Sequence, residues 1–464
     1  MSNQPTRLNG NLGLLSVVAF GVAYMGLPVV IATFGVVASV SGGAAPTAYL
    51  VATAAMLLTG FSYAKMARVL PNSGSVYTYA RKMLDSRVGF IAGWMMLLDY
   101  LFLPMVVWLI GGTYLNAQFP QLPVWAWIAI TVAVTTAINS VGITVIDRVT
   151  KILLLMVIAT LLVIAVLCVR YVSAGHGTGS PAHALWNHGT SVSAITSGAA
   201  LAAFSFLGFD AVSTLSEEAR DPQRTIPRGI VLTVLAGGTV FVVLSFLLQW
   251  VHPGGSFADE SSAGYLLSVQ IGGKTFADVT NVITLIGAMV SGGVAIQAST
   301  SRLMFVMGRD GVLPRAFFGR LSGKGRIPLF NVLLVGAIGL GGTAMTLSDA
   351  TSFVNFGAIF GFTLVNVCVI AYAIRQRHSG LRHSSWSYLV LPAAAAAVDI
   401  YLLTKLDDSA RNLGLAWLAI GLVYLGVLTG GFRRPAPEIG ADEAQNGSDA
   451  SSAPGLTEGV PTGP

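Results

Sequence analysis

The stretch LLSVVAFGVAYMGLPVVIATFGVVASV (residues 14–40) carries no charged side chain, and Gly21, Gly26 and Pro28 interrupt it near its middle. A helix needs about 20 apolar residues to cross the hydrocarbon core of a bilayer. Glycine and proline weaken the helical ladder where they sit. The stretch therefore reads as a membrane span that breaks partway. A second block, ILLLMVIATLLVIAVLCV (residues 152–169), is as apolar and unbroken. Across the chain 54% of residues are hydrophobic and 10% charged, whereas soluble domains carry about a quarter charged. Lipid leaves no water for the backbone, so the spans are helices. The fold class is an all-α integral membrane protein.

Twelve spans are expected, near residues 13–40, 47–66, 88–116, 123–144, 150–173, 194–214, 228–250, 276–305, 327–346, 350–374, 386–404 and 410–431. The start, MSNQPTRLNG, has one arginine and no small-residue cleavage site, so no signal peptide is expected and the first block remains a span. With an even number of spans both termini share a side. Of the 26 basic residues only Arg170, Lys274, Lys405 and Arg411 fall on the other side, leaving 22 with the termini. Basic loops stay in the cytoplasm, so both termini are expected there. The net charge of +6 reports this topology and is not read as a nucleic-acid patch. Cys168 and Cys368 fall inside spans and read as small packing residues, with no disulfide implied. From Ala436 onward the chain is rich in Pro, Gly, Ser and acids and is expected to be disordered.

The sixth span, within FSFLGFDAVSTLSEEARDPQRTIPRGI (residues 204–230), is interrupted like the first, with Gly208 followed by Asp210. Spans one and six correspond if spans one to five and six to ten are two repeats, the second inverted by the odd number. Unwound backbone at membrane depth is tolerated where it lines a cavity or is buried in protein. Half-helix ends there present amides to anions and carbonyls to cations. A substrate site is therefore expected between residues 21–28 and 204–210.

These residues carry a resemblance. FSFLGFDAVSTLSEEARDPQRTIP resembles the sixth-helix signature of the amino acid–polyamine–organocation transporters. YAKMARVLPNSGSVYTYARKML (residues 63–84) and STSRLMFVMGRDGVLP (residues 299–314) fit the same superfamily in order along the chain. VGFIAGWMMLLDYLFLP (residues 88–104) and VNFGAIFGFTLVNV look most like bacterial putrescine importers. The resemblance covers about residues 10–430. It implies a LeuT-like arrangement: a five-helix repeat over 13–173, an inverted one over 194–374, and two extra helices over 386–431, between a cytoplasmic start (1–12) and tail (436–464). It also implies proton-coupled uptake of amines or amino acids by alternating access. By the same match, backbone around Tyr24, Met25 and Gly26 cradles one end of the substrate, Phe204 and Phe209 take the closing aromatic positions, and Asp210 matches an acid of amine exchangers and importers.

The match has two departures. Putrescine importers carry a carboxylate in the first helix, and here Ala32 stands where it would be sought. A diamine in a low-dielectric cavity wants a counter-charge at both ends, so this absence favours a monoamine or an amino acid over putrescine. Proton-coupled members carry a fifth-helix lysine in place of sodium, and the candidate, Lys151, lies about a turn too near the cytoplasm, with Leu154 and Leu155 closer to the expected place.

Three ionisable residues fall well inside spans: Asp99, Asp210 and Asp399. Without a permanent counter-charge such a carboxyl exchanges a proton or is held ionised by a cationic substrate. Asp210, beside a break, is the candidate for either task. Asp99, next to Tyr100, reads equally as a second cavity-lining carboxylate or as a carboxyl bonded to a neighbouring helix. Asp399 lies in the eleventh span and reads as structural. Glu217 and Glu218, with basic Arg81 and Arg302 on the same side, are expected to form a cytoplasmic gate, the alternative being a solvated loop.

His176, His183 and His188 match no zinc spacing. No Walker loop, metalloprotease motif or cofactor motif is read. The sequence thus points away from an ATP-driven pump and from an enzyme. The leading reading is a proton-driven importer of a small amine or amino acid, with putrescine or another polyamine slightly favoured. An amino-acid permease or an exchanger is the alternative, and a non-transporting sensor is the reading from a different class.

Overall fold

The computed structural model describes residues 12–71, 75–141, 146–176, 180–217, 219–288, 293–309, 311–322, 327–378 and 384–436. Regular structure among them is helical, and the two β-bridges, Leu12–Ala219 and Ser322–Ile327, are isolated. The first apolar stretch forms α1 (Leu14–Met25) and α2 (Val29–Val40), bent from each other by 51°. Then come α3 (Ala45–Val69), the short α4 (Ser75–Met83), α5 (Ser86–Gln118), α6 (Val124–Val141) and α7 (Ile146–Tyr171). The chain continues through α8 (Pro181–Leu185), α9 (Val192–Ala202), α10 (Pro222–Val251), α11 (Ala263–Ala288), α12 (Ala295–Arg309) and α13 (Arg315–Phe318). It ends with α14 (Leu329–Gly339), α15 (Leu347–His378), α16 (Leu391–Thr404) and α17 (Asp408–Leu428).

Among the described residues eight helices are long and apolar enough to cross a membrane, and the bent pair α1 and α2 makes a ninth if taken as one span. The spans expected at 123–144 and 327–346 appear as shorter apolar helices, Val124–Ser140 and Leu329–Ala344. The span expected at 276–305 divides between α11 and α12, and residues 289–292 lie outside the description.

Small side chains let these helices close on one another, as membrane bundles require. On α10 a Cβ at Gly238 would stand 2.4 Å from Thr53 Cγ2 of α3, and one at Gly237 would stand 2.5 Å from the Met25 terminal methyl. The long α5 starts with Asp85 as its cap, accepting the Arg87 N–H at 2.8 Å, the usual way to satisfy a first-turn donor. It carries Asp99, Tyr100 and Pro104 through the middle of the bundle, with Asp99 buried.

Where α1 begins, the Arg220 N–H donates to the Leu12 carbonyl at 2.9 Å. At the far end of α2 the backbone closes on itself. A Cβ at Gly42 would stand 2.2 Å from the Gly189 carbonyl oxygen, and one at Gly35 would stand 2.2 Å from that of Glu260. Ser39 Oγ donates to Glu260 Oε1 at 2.5 Å, and Gln249 Nε2 donates to the carbonyls of His252 and Gly254, both at 2.8 Å.

Of the segment 436–464, Ala436 is described. It is 3% exposed, its N–H donates to Ser86 Oγ at 3.3 Å, and its carbonyl accepts from Arg81 at 3.2 Å.

Candidate functional site

The first break is made by Gly26, which takes the left-handed conformation at φ 63° and ends α1 with its N–H on the Ala23 carbonyl. Pro28 follows, pre-set for a first helical turn and without an N–H to extend the earlier helix. The second break begins where α9 tightens into a 3-10 turn over Ala203–Phe206. Gly208 then turns the chain at φ 109°, and a second 3-10 segment runs over Asp210–Glu217. Such a φ belongs to glycine, since a Cβ would collide with the backbone.

The breaks touch. A Cβ built on Gly208 would stand 2.2 Å from Tyr24 Cδ1, so the Tyr24 ring lies against the backbone of the second break. Around that contact the helices bring the acids together. Tyr24 interacts electrostatically with both Asp99 and Asp210, Asp99 with Asp210, and Tyr100 with all three. Asp210 is 5% exposed and opens the second 3-10 segment two residues after the Gly208 turn. Asp99 Oδ1 is buried without a hydrogen-bond partner among the described residues. The Tyr100 carbonyl accepts from Thr300 Oγ1 of α12 at 2.7 Å, which ties α5 to a second helix beside the acids.

Of the nine expected substrate residues, Tyr24, Gly208, Asp210, Asp99 and Tyr100 thus converge. Gly26 and Met25 supply the backbone at the first break, and the Met25 side chain turns toward Gly237 on α10. Phe204 is buried, with its carbonyl accepting the Leu207 N–H at 3.1 Å. Phe209 faces a wall of rings, 5.4 Å from Tyr63 and 5.0 Å from Phe362 between centroids.

Most of the expected gate lies outside the described residues. Glu217 ends the 3-10 segment, and its side chain, like those of Arg302 and Lys151, is outside the description, as is all of Glu218. Arg81 holds the Ala436 carbonyl. Within the loop that follows, Arg224 and Asp221 pair at 3.6 Å with both side chains largely exposed, a contact that contributes less than about 1 kcal/mol. Among the described residues no group of His, Cys, Asp and Glu is arranged to hold a metal ion.

Sequence reasoning missed two buried polar sets. Thr33 Oγ1, the Tyr49 hydroxyl and Ser205 Oγ form a chain at 2.9 and 3.3 Å, joining α2, α3 and the second break. Thr59, Asn366 and Asp399 form another across α3, α15 and α16. Serines and threonines inside apolar runs were the available signal, but their partners lie far away in the chain.

A family model described as amino acid permease matches residues 17–432. The chain belongs to that family. It is 39% identical to the low-affinity putrescine importer PlaP of Escherichia coli (strain K12) over 93% of this chain and 96% of that protein. It is 26% identical to the branched-chain amino acid permease BcaP of Bacillus subtilis (strain 168), over 87% of this chain and 91% of the relative. To the methylthioribose transporter of the same organism it is 27% identical over 88% and 92%. The chain is a transport protein of multi-pass membrane type, and catalysis of covalent chemistry is not its role.

Proposed function

We propose that the permease imports a small amine or amino acid, a diamine such as putrescine first among them, by proton-coupled alternating access. One observation carries the substrate class. Two buried carboxyls stand near the meeting of the two breaks: Asp210 just after Gly208, which lies against Tyr24, and Asp99, whose Oδ1 has no hydrogen-bond partner among the described residues. A diamine needs an anionic partner for each ammonium in a medium of low dielectric, and this pair supplies two where the first helix supplies none. The likeness to a putrescine importer supports the same choice. Tyr24, Tyr100, Phe204 and Phe209 surround the alkyl chain, while the backbone of Met25, Gly26 and Gly208 leaves polar ends open to the ligand.

The twelve-span reading accompanies this proposal, with inverted repeats over 13–173 and 194–374, extra helices over 386–431, and both termini cytoplasmic. Asp210 or Lys151 carries the coupling proton, and Glu217 and Glu218 with Arg81 and Arg302 close the cytoplasmic side. Amino-acid import is the second reading, favoured by the helix ends at the breaks, whose amides suit an α-carboxylate.

The test is uptake into liposomes holding the full chain under an inward proton gradient, with labelled putrescine beside labelled amino acids. Putrescine uptake that collapses with a proton ionophore is the expected result. Asp210→Asn and Asp99→Asn each reduce it at least tenfold, and Asp99→Asn spares a monoamine of similar length. Uptake of an amino acid alone, unaffected by Asp99→Asn, overturns the diamine reading.

A further inference from the structure

Three buried hydroxyls run in series between the two breaks: Thr33 on α2, Tyr49 on α3 and Ser205 in the 3-10 turn after α9. Each has one proton to give. Thr33 Oγ1 donates to the Val29 carbonyl at 2.8 Å. It therefore accepts from the Tyr49 hydroxyl at 2.9 Å, and that hydroxyl accepts from Ser205 Oγ at 3.3 Å. Along these contacts only this order uses all three protons. The series begins three residues before Gly208 and ends on Val29, the first residue of α2 and three beyond Gly26.

The Tyr49 ring is backed by Phe241 of α10, 5.9 Å away between centroids. Phe241 also meets Phe206 edge-on at 5.2 Å, so one ring supports both Tyr49 and the turn that carries Ser205. Other bonds tie the two half-helices to different neighbours. The Tyr114 hydroxyl of α5 donates to the Ile31 carbonyl at 3.0 Å, and Asn355 Nδ2 of α15 donates to the Ala200 carbonyl at 2.9 Å. Neither of these reaches both breaks, whereas the Tyr49 series does. The Tyr24 ring also joins the breaks, by resting against Gly208. A ring on backbone can slide, while hydrogen bonds fix direction as well as distance.

Burying three hydroxyls to bond one another adds little net stability, since each gives up bonds to water. Phenylalanine, valine and alanine would fill the same places without that cost. What the series supplies is spacing between two backbones. A ligand held by both breaks gains affinity when they already stand at the binding distance, because ordering left to the binding step is deducted from it. We propose that Tyr49 is a positioning residue of the substrate site, holding the two breaks at their binding separation through Ser205 on one side and Thr33 on the other. It acts through the backbone of the breaks and not by touching the substrate. The inference rests on the import reading above and adds to it a residue that sets affinity.

Tyr49→Phe keeps the ring and removes the link. In liposome uptake by the full chain its KM for putrescine is expected to rise about tenfold, with the maximal rate within about twofold of wild type. Thr33→Val and Ser205→Ala cut the series at its two ends and are expected to give the same rise. Combined in one chain they add nothing further, because a line cut once is already cut. Amide hydrogen exchange of the full chain in lipid nanodiscs reads the breaks without a substrate. Thr33→Val is expected to speed exchange severalfold at residues 203–209, and Ser205→Ala at residues 26–31. A hydroxyl that serves only its own helix would speed exchange on its own side alone. An unchanged KM in Tyr49→Phe, or effects of the two end variants that add, overturns the proposal. If the wild-type chain moves no putrescine, the substrate reading fails by itself and exchange decides. Acceleration in the opposite break then supports the link, and acceleration confined to the substituted side refutes it.

Discussion

Gly208 holds the two breaks against each other. It turns at φ 109°, and any Cβ there would stand 2.2 Å from Tyr24 Cδ1. Gly208→Ala meets two separate penalties, backbone strain of about 1–3 kcal/mol and a collision with the ring. Its thermal melting in detergent is expected to fall, and Tyr24→Ala added to it recovers part of the loss by removing the ring but not the strain. Melting equal to wild type in Gly208→Ala would show that the contact is not a constraint. Gly208 and Asp210 were legible in sequence because a glycine and an acid inside an apolar run are anomalies on their own. Asp99 was legible as an acid but not as a partner, since which way a residue on a 33-residue helix points depends on packing. Asp399 was legible as an acid but its partners were not, for the same reason: Thr59 and Asn366, which decide its environment, lie 340 and 33 residues away.

The break between α1 and α2 is a property of the element, and its two residues act differently. Gly26 has open space around its Cβ position, so a side chain there is opposed by its φ of 63° alone. Pro28 blocks the helix by lacking a donor. Replacing both, as Gly26→Ala with Pro28→Ala, removes the stop signals and favours helix through residues 25–29. The double variant is expected to melt within a few degrees of wild type or above it, while uptake falls at least tenfold because the backbone ends that face the ligand are consumed by the ladder. Uptake near the wild-type rate would mean that the break is a packing kink. Breaks were readable from glycine and proline, whereas the lengths of the shorter spans were not. Leu329–Ala344 finishes in a 3-10 turn where Gly339 lies against the Trp108 ring and Gly342 against Met105, contacts set by α5 and invisible in local hydropathy.

At the scale of the whole molecule, closure can be read from the backbone at one end of the bundle. The end reached by α2 is shut by backbone on backbone, Gly42 on Gly189 and Gly35 on Glu260, with Ser39 bonded to Glu260 across the seam. Glycines are required there because each carbonyl occupies the place of a Cβ. An alternating-access cycle must part these surfaces to admit substrate, so the seam is expected to be the moving joint on that side. A doubly substituted chain, Ser39→Cys with Glu260→Cys, places two thiols at the seam, and the natural Cys168 and Cys368 are buried and offer little background. Bridging the pair with a short reducible thiol crosslinker is expected to bring uptake to background and reduction to restore it, while detergent-solubilised protein still binds substrate. Uptake that survives complete crosslinking would place the moving joint elsewhere. Loss of transport with the seam held shut would tie the glycine contacts to the transport cycle and not merely to stability.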